Sequence, residues 1–221
     1  MDEIYSYDFY TLALIVEIVS LLSQRGSRFA FISATLPSYL KELITRLIPV
    51  KLILDEEFQA LTRHNIEFYD RNILDVIDSI ISHYKRGKKI LVIVNTVDSS
   101  IEIYRILKEY FIAHGHNPNN LILYHSRFIE MYRTRKEQLI KDGANKTNQG
   151  FIAVTTQVIE ISLDIDYDIL FTQLAPLDAL VQRFGRVNRK GLKSISNINV
   201  IIYSQGDLDH KIYGEDNLKM S

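Results

Sequence analysis

The sequence predicts an α/β protein with a parallel sheet that carries helices on both faces. Short runs rich in isoleucine and valine alternate with helix-length amphipathic segments along most of the 221 residues. These runs are continuously apolar, which is typical of parallel strands that are covered on both sides. An alternating order of strands and helices favours a doubly wound sheet, in which ligands bind at the carboxyl ends of the strands.

Each element follows from the position of these runs. Six runs are predicted as strands, at residues 29–33, 90–94, 121–124, 151–154, 169–172 and 198–203. Five amphipathic segments are predicted as helices, at residues 10–23, 73–84, 99–110, 130–141 and 177–186. Residues 37–62 read as a linker with one or two helices, and the polar residues from 205 onward as a tail.

Composition excludes several classes of site. The chain has 47% hydrophobic and 24% charged residues, as an ordinary globular protein has. It has no cysteine, which excludes disulfides, thiolate zinc sites and cysteine nucleophiles. No apolar run approaches the length of a bilayer span and no secretory signal is recognisable, so a cytoplasmic protein without a membrane partner is expected. The net charge is −1, which leaves room for a narrow cationic groove but excludes a uniformly basic surface.

One segment concentrates cationic side chains. Residues 182–189 read Q-R-F-G-R-V-N-R, which places one glutamine and three arginines within about two helical turns. On a helix, Gln182, Arg186 and Arg189 share one face. Arg183 lies beside them. Because a guanidinium can pair with two phosphate oxygens at once, the segment predicts a phosphate site. A solvated basic helix is the alternative that spacing alone leaves open.

Polar side chains also come at the ends of four predicted strands. Ser33 ends the first strand and Thr35 follows it, while Thr96 follows the second. Arg127 lies shortly after the third strand and Thr156 shortly after the fourth. Because the carboxyl ends of parallel strands meet at one edge of a sheet, we expect these groups to line a surface that binds phosphate or sugar oxygens. Ser33 and Thr96 could instead cap helices.

In this order the residues resemble the motifs of superfamily 2 helicases. Ser-Ala-Thr at 33–35, T-x(8)-D at 156–164 and Q-R-x-G-R-x-x-R at 182–189 resemble motifs III, V and VI, and Asp-Glu-Ile-Tyr at 2–5 resembles motif II. His-Ser-Arg-Phe at 125–128 and the stretch 156–166 are similar to the CRISPR-associated type I helicase–nuclease family. The resemblance covers nearly the whole chain and implies a RecA-like form of the parallel sheet.

The resemblance implies roles around ATP for several residues. Asp2 would bind Mg²⁺ through water, and Glu3 would orient and deprotonate the attacking water. Gln182, Arg186 and Arg189 would contact the γ-phosphate, the two arginines acting as arginine fingers. ATP and Mg²⁺ are therefore the implied cofactors of the assembled enzyme.

Further roles follow from the same resemblance. Asp164 would hold the nucleotide ribose or organise the cleft, and Arg183 would take part in ATP binding. Three residues would contact the DNA backbone: Thr96, Arg127 and Thr156. Two would couple the ATP cleft to the DNA groove: Ser33 and Thr35.

The implied domain organisation has four parts. Residues 1–36 would be the tail end of a first RecA-like domain with motifs II and III, and residues 37–65 a linker. Residues 66–204 would form the second RecA-like domain with motifs IV to VI, and residues 205–221 a polar tail.

The resemblance implies the motor half of an ATP-dependent DNA helicase of antiviral defence. No G-x-x-x-x-G-K-[ST] phosphate loop occurs in the sequence, so this chain alone is expected not to hydrolyse ATP. The implied partners are single-stranded DNA, an amino-terminal helicase half, an HD nuclease domain or subunit and a CRISPR surveillance complex. A non-catalytic nucleic-acid or partner-binding module and a fragment of an RNA helicase remain the alternatives.

Overall fold

A computed structural model describes residues 9–32, 38–51, 53, 61–70, 73–145, 149–160 and 163–204. The chain divides into two compact units, residues 1–60 and residues 61–221. None of the helices in the described ranges is long and apolar enough to cross a membrane.

The described residues of the first unit include two helices, α1 (Phe9–Gln24) and α2 (Ser38–Leu47). Their apolar side chains, among them Leu12 and Leu40, pack into one small core. α1 is apolar on its other side too, where Ile18 is 54% exposed. α2 confirms that residues 37–62 include a helix.

The second unit is built on six parallel strands. They are β1 (Ile66–Tyr69), β2 (Lys89–Ile93), β3 (Leu121–Tyr124), β4 (Phe151–Thr155), β5 (Ile169–Gln173) and β6 (Val200–Tyr203). The strands lie side by side in the order β1-β6-β5-β2-β4-β3, and each neighbouring pair is parallel. The predicted parallel sheet is therefore confirmed.

Four helices connect these strands. They are α3 (Ile77–Lys85), α4 (Val97–Ala113), α5 (Glu130–Asn145) and α6 (Leu177–Phe184). Short 3₁₀ turns occupy Ile73–Val76, Pro118–Asn120 and Gln157–Glu160.

Side chains of the central strands point alternately to two apolar layers. On β2, Ile90 and Val92 belong to the layer that α3 and α4 cover. Leu91 and Ile93 belong to the opposite layer, which α5, α6 and the chain after β4 cover. All four are completely buried, and each stabilises the fold by about 1.5–3 kcal/mol relative to an exposed side chain. Burial on both faces explains why these strands are apolar at every position.

The structure differs from the predicted elements in three places. β1 was not predicted, because this edge strand is only half-buried and its sequence I-E-F-Y lacks the continuous apolar signal. Conversely, of the predicted strand at 29–33 the described residues 29–32 form no more than a single β-bridge at Ile32. The predicted helix at 177–186 ends at Phe184, so the assumption of one continuous helix through Arg189 is wrong.

Long-range pairing explains why α6 ends early. Val187 forms a parallel β-bridge with Tyr167, which an α-helix cannot do. Asn188 then adopts a φ of 45°, in the left-handed region that asparagine tolerates better than most residues. Arg186 and Arg189 are thus presented by an irregular segment and not by a helix face.

Candidate functional site

The strand order indicates where a ligand is expected to bind at the carboxyl edge of the sheet. The chain leaves β2 toward β3 on one side, whereas it leaves β5 toward β6 on the other. Such a change of direction opens a crevice between the two strands, and α/β proteins bind ligands there. Asn95 follows β2 and Gln173 ends β5. The two meet at this point, where the main-chain amide of Asn95 donates to the side-chain oxygen of Gln173.

Arg183 fills the space beneath this crevice. Its side chain is 0% exposed, and Nη1 donates to Thr172 Oγ1 at 2.9 Å and to the Gln173 carbonyl at 3.0 Å. Nη2 donates to Asn95 Oδ1 at 3.1 Å. The first arginine of the segment therefore joins the ends of β2 and β5 from inside the fold. Its predicted contact with ATP stays a prediction.

Glu160 supplies the counter-charge to Arg183. Arg183 Nε donates to Glu160 Oε1 at 2.8 Å, and the Glu160 side chain is 16% exposed. Burial raises the pKa of the Glu160 carboxyl above its ordinary value, while the adjacent Arg183 guanidinium acts in the opposite direction. A buried cation with a hydrogen-bonded carboxylate partner is strongly destabilised when that partner is removed. Sequence reasoning missed Glu160, although it lies inside the motif V stretch.

Arg186 is also held by the chain that follows β4. Its guanidinium donates to the Leu163 carbonyl at 2.8 Å and to the Glu160 carbonyl. The residue is 8% exposed. Arg186 is therefore docked onto the motif V segment by two main-chain acceptors.

Arg189 differs from the two preceding arginines because its side chain is 42% exposed. Its Nη1 lies 3.5 Å from Asp164 Oδ1, and the Asp164 side chain is 91% exposed. Its main-chain amide donates to Asp166 Oδ1 at 3.0 Å. The predicted nucleotide residues Arg189 and Asp164 are thus neighbours at the surface. Gln182 lies half-buried on α6.

Two residues absent from the sequence prediction fix the arginine segment. Asn188, 1% exposed, donates to the Arg63 carbonyl at 2.9 Å and accepts from the Lys193 amide at 2.9 Å. Lys193 Nζ donates to the Tyr167 carbonyl at 2.8 Å and forms an ion pair with Asp168 at 2.9 Å. The available sequence signal for the turn was an asparagine between Arg186 and Arg189, because asparagine tolerates the left-handed backbone region.

A third residue that the sequence prediction lacked, His64, precedes β1 and contacts the main chain at the end of α6 and just beyond it. His64 Nε2 is 2.9 Å from the Phe184 carbonyl and 3.0 Å from the Val187 carbonyl. Both neighbours are acceptors, so this nitrogen carries the proton. Burial lowers the pKa of His64, and the neighbouring Arg63 lowers it further.

The predicted nucleic-acid residues occupy different environments. Thr96 is the N-cap of α4, and its Oγ1 accepts from the Ser99 amide at 3.1 Å. Arg127, 63% exposed, pairs with Asp98 in the first turn of the same helix at 2.9 Å. Thr96 and Arg127 therefore lie at one corner of the carboxyl edge. Thr156 is only 3% exposed, so its side chain is covered in this structure.

Four predicted residues lie outside the described part of the chain: Asp2, Glu3, Ser33 and Thr35. Among the described residues, no group of three or more histidine, aspartate or glutamate side chains is placed to hold a metal ion. The predicted Mg²⁺ site at Asp2 consequently stays a prediction.

A separate cleft of about 490 Å³ opens elsewhere on the second unit. Its lining includes Glu67, His83, Arg86 and Phe171. The residues predicted to contact ATP or DNA that the structure describes do not line it.

Comparison with known proteins finds similar sequences in one family. Residues 86–192 match the profile of the family described as CRISPR-associated nuclease/helicase Cas3, C-terminal. A putative Cas3 of Methanocaldococcus jannaschii is 31% identical over 204 residues, which cover 86% of this chain and 26% of that protein. Cas3 of Methanothermobacter thermautotrophicus is 28% identical over 222 residues, covering 94% of this chain and 26% of that protein.

Solved structures share the fold. The crystal structure of T. fusca Cas3 with ATP superposes with a TM-score of 0.80 at 19% identity, covering 98% of this chain and 32% of that one. A CRISPR RNA-guided surveillance complex in a pre-nicking state contains a chain that matches with a TM-score of 0.71 at 20% identity, covering 92% and 30%. These likenesses confirm the RecA-like α/β fold. The chain spans about a quarter of the length of the curated relatives it matches.

Proposed function

Because the chain belongs to the Cas3 nuclease/helicase family as a carboxyl-terminal helicase portion, we propose that it supplies the arginine-bearing half of an ATP site. In the same proposal it contributes part of a single-stranded DNA groove to an ATP-dependent helicase of CRISPR antiviral defence. A CRISPR surveillance complex and an HD nuclease domain or subunit are the proposed partners of the whole protein.

The observation that carries the proposal is the exposed pair of Arg189 and Asp164. A guanidinium that is 42% exposed beside a carboxylate that is 91% exposed can exchange this partner for phosphate oxygens with little loss, because exposed ion pairs are worth at most about 1 kcal/mol. A positive charge delivered to the γ-phosphate stabilises the charge that develops during phosphoryl transfer. Arg189 is therefore one of the two proposed arginine fingers, and Arg186 is the other.

Arg186 requires a larger change to reach phosphate. It is 8% exposed, and its Nη1 would have to release the Leu163 carbonyl, while Nη2 can stay on the Glu160 carbonyl. Phosphate oxygens are stronger acceptors than carbonyls, so binding of ATP across the cleft favours this exchange. Gln182 lies on the same segment and provides an amide for the same phosphate.

Two residues outside the described ranges, Asp2 and Glu3, are proposed to contribute to the same ATP site. Asp2 would hold Mg²⁺, which neutralises phosphate charge, and Glu3 would orient the attacking water. The 221 residues contain no Walker A phosphate loop, so we propose that the chain alone does not hydrolyse ATP.

For the DNA groove we propose the corner formed by Thr96 and Arg127. Arg127 is exposed and paired with Asp98 at the first turn of α4, where main-chain amides and the helix dipole favour a phosphate. These contacts are to the DNA backbone, so little base specificity is expected. Thr156, which is covered, would contribute through the position of its main chain.

The test is ATP hydrolysis stimulated by single-stranded DNA, measured on a complete protein that carries this sequence. Arg189→Ala should lower kcat by about 10³-fold, as loss of an arginine finger does. Arg127→Ala should leave kcat at saturating DNA unchanged and raise the DNA concentration for half-maximal stimulation.

Arg105→Ala is the matched control, since Arg105 is an exposed arginine on α4 away from the arginine segment. It should behave as the wild-type protein. Full kcat in Arg189→Ala would contradict the proposed finger, and equal stimulation by single-stranded RNA would favour an RNA helicase.

A further inference from the structure

Glu160 touches two of the three arginines of the segment, Arg183 and Arg186, through two different groups. Its carboxylate accepts from Arg183 Nε at 2.8 Å, and its main-chain carbonyl accepts from Arg186 Nη2. The buried Arg183 and the docked Arg186 are therefore tied to the same residue on the chain that follows β4. A movement of Glu160 moves both acceptors together.

The same residue is linked to the edge where DNA is proposed to bind. Arg183 also holds Asn95 Oδ1 at 3.1 Å, and the Asn95 carbonyl accepts from Gln157 Nε2 at 2.9 Å. Asn95 precedes Thr96, and Gln157 follows Thr156. The contacts therefore connect the chain neighbours of Thr96 and Thr156, two of the three proposed DNA-contacting residues, through Arg183 to Glu160.

We propose that Glu160 is a positioning residue that holds Arg186 at the ATP cleft and links its position to the DNA-binding edge. The inference rests on the proposed function and deepens it. Glu160 touches neither ATP nor DNA in this scheme, and acts through Arg183 and Arg186.

A carboxylate is needed at this position for a physical reason. The Arg183 guanidinium is 0% exposed, and the Glu160 carboxylate is the acidic side chain with which it forms an ion pair. A neutral amide in its place removes the charge of the carboxylate that pairs with this buried cation, so the arginine and the chain around it shift. Such a shift displaces the carbonyl that holds Arg186.

The first experiment uses DNA-stimulated ATP hydrolysis by a complete protein that carries this sequence. Glu160→Gln should lower kcat by about tenfold and change the KM for ATP by less than about twofold, because positioning of the finger acts on the transition state. Glu160→Asp, which keeps the charge, should restore most of kcat. Wild-type kcat in Glu160→Gln, or equal losses in both variants, would overturn the proposal.

A second experiment uses the 221-residue chain itself and does not depend on ATP hydrolysis. In hydrogen exchange, the amides of residues 186–189 should exchange about tenfold faster in Glu160→Gln than in the wild-type chain, while those of β2 keep their rates. Glu130→Gln is the matched control, because that carboxylate is 84% exposed. Unchanged exchange at 186–189 would overturn the proposal.

The two experiments distinguish a failure of the proposed function from a failure of the positioning role of Glu160. If the wild-type complete protein shows no DNA-stimulated hydrolysis, the proposed function fails and the exchange rates alone decide whether Glu160 positions Arg186. If Glu160→Gln does not fold, Glu160→Asp is measured instead in both assays. In that variant the carboxylate is retained, so kcat and the exchange rates at 186–189 should both stay within about threefold of the wild-type values, and a roughly tenfold change in either would overturn the proposal.

Discussion

At the scale of single residues, three arginines of one segment have the same side chain but different environments. Arg183, Arg186 and Arg189 occur within one motif, yet their exposure ranges from none to 42%. The sequence predicts phosphate binding for all three, because guanidinium geometry is a property of the residue itself, and this stays a prediction. It could not predict which one is buried, because the partners of Arg183 come from other elements: Thr172 lies on β5, and Asn95 follows β2 at a distance of 88 residues along the chain.

Asn188 provides a prediction at this scale. Its φ of 45° costs about 1–2 kcal/mol for alanine, and its amide makes hydrogen bonds with Arg63 and Lys193 that alanine cannot replace. Asn188→Ala should therefore lower the free energy of unfolding by roughly 2–4 kcal/mol. Asn188→Gly should lose less, since glycine tolerates the backbone conformation. Urea unfolding measures both, and a loss below about 0.5 kcal/mol for alanine would refute the assignment.

At the scale of secondary structure elements, local signals were reliable where burial is uniform. The four central strands were predicted because all their positions are buried except the half-buried Lys89 at the start of β2, which leaves a continuous apolar run. β1 was missed because an edge strand keeps polar positions, and the run at 29–33 was predicted as a strand on apolar character alone. The end of α6 depends on the bridge between Tyr167 and Val187, a contact that no periodicity reveals.

The end of α6 gives a pH-dependent prediction. His64 donates to the carbonyls of Phe184 and Val187, and burial holds its pKa below the ordinary value of histidine. The neutral form is thus favoured in the folded state, so stability is complete above about pH 6.5 and falls as the pH drops below it. The wild-type free energy of unfolding should fall by up to about 1.4 kcal/mol per pH unit for this histidine.

His64→Gln should reduce that slope between about pH 6.5 and pH 5. Part of the slope should remain, because burial also lowers the pKa of His83 and of His125. Urea unfolding at several pH values, followed on resonances of the sheet, measures the slopes. His114→Gln, at an exposed histidine, is the control. An unchanged slope in His64→Gln would show that this contact does not carry the pH dependence.

At the scale of the whole molecule, the order of motifs was more informative than any single one. Strand-end groups and the arginine segment, taken in sequence order, identified the helicase family and hence the RecA-like sheet. The network of Glu160, Arg183 and Asn95 was beyond reach, because it joins residues from three separate elements. Family order thus locates a site, whereas the contacts that hold its residues in place require the structure.

The last prediction concerns the two units. The sheet in residues 61–221 has apolar layers on both faces, the described members of these layers are residues of that unit, and helices α3 to α6 cover them. A chain of this size buries enough surface to be stable by itself. Removal of residues 1–60 should therefore leave a cooperatively folded protein whose sheet amides keep their exchange protection. Amide exchange of β2 and β4 measures this, with the 221-residue chain as reference. Loss of protection in these two strands would mean that the sheet depends on the first 60 residues, and the arginine segment could then not be studied on residues 61–221 alone.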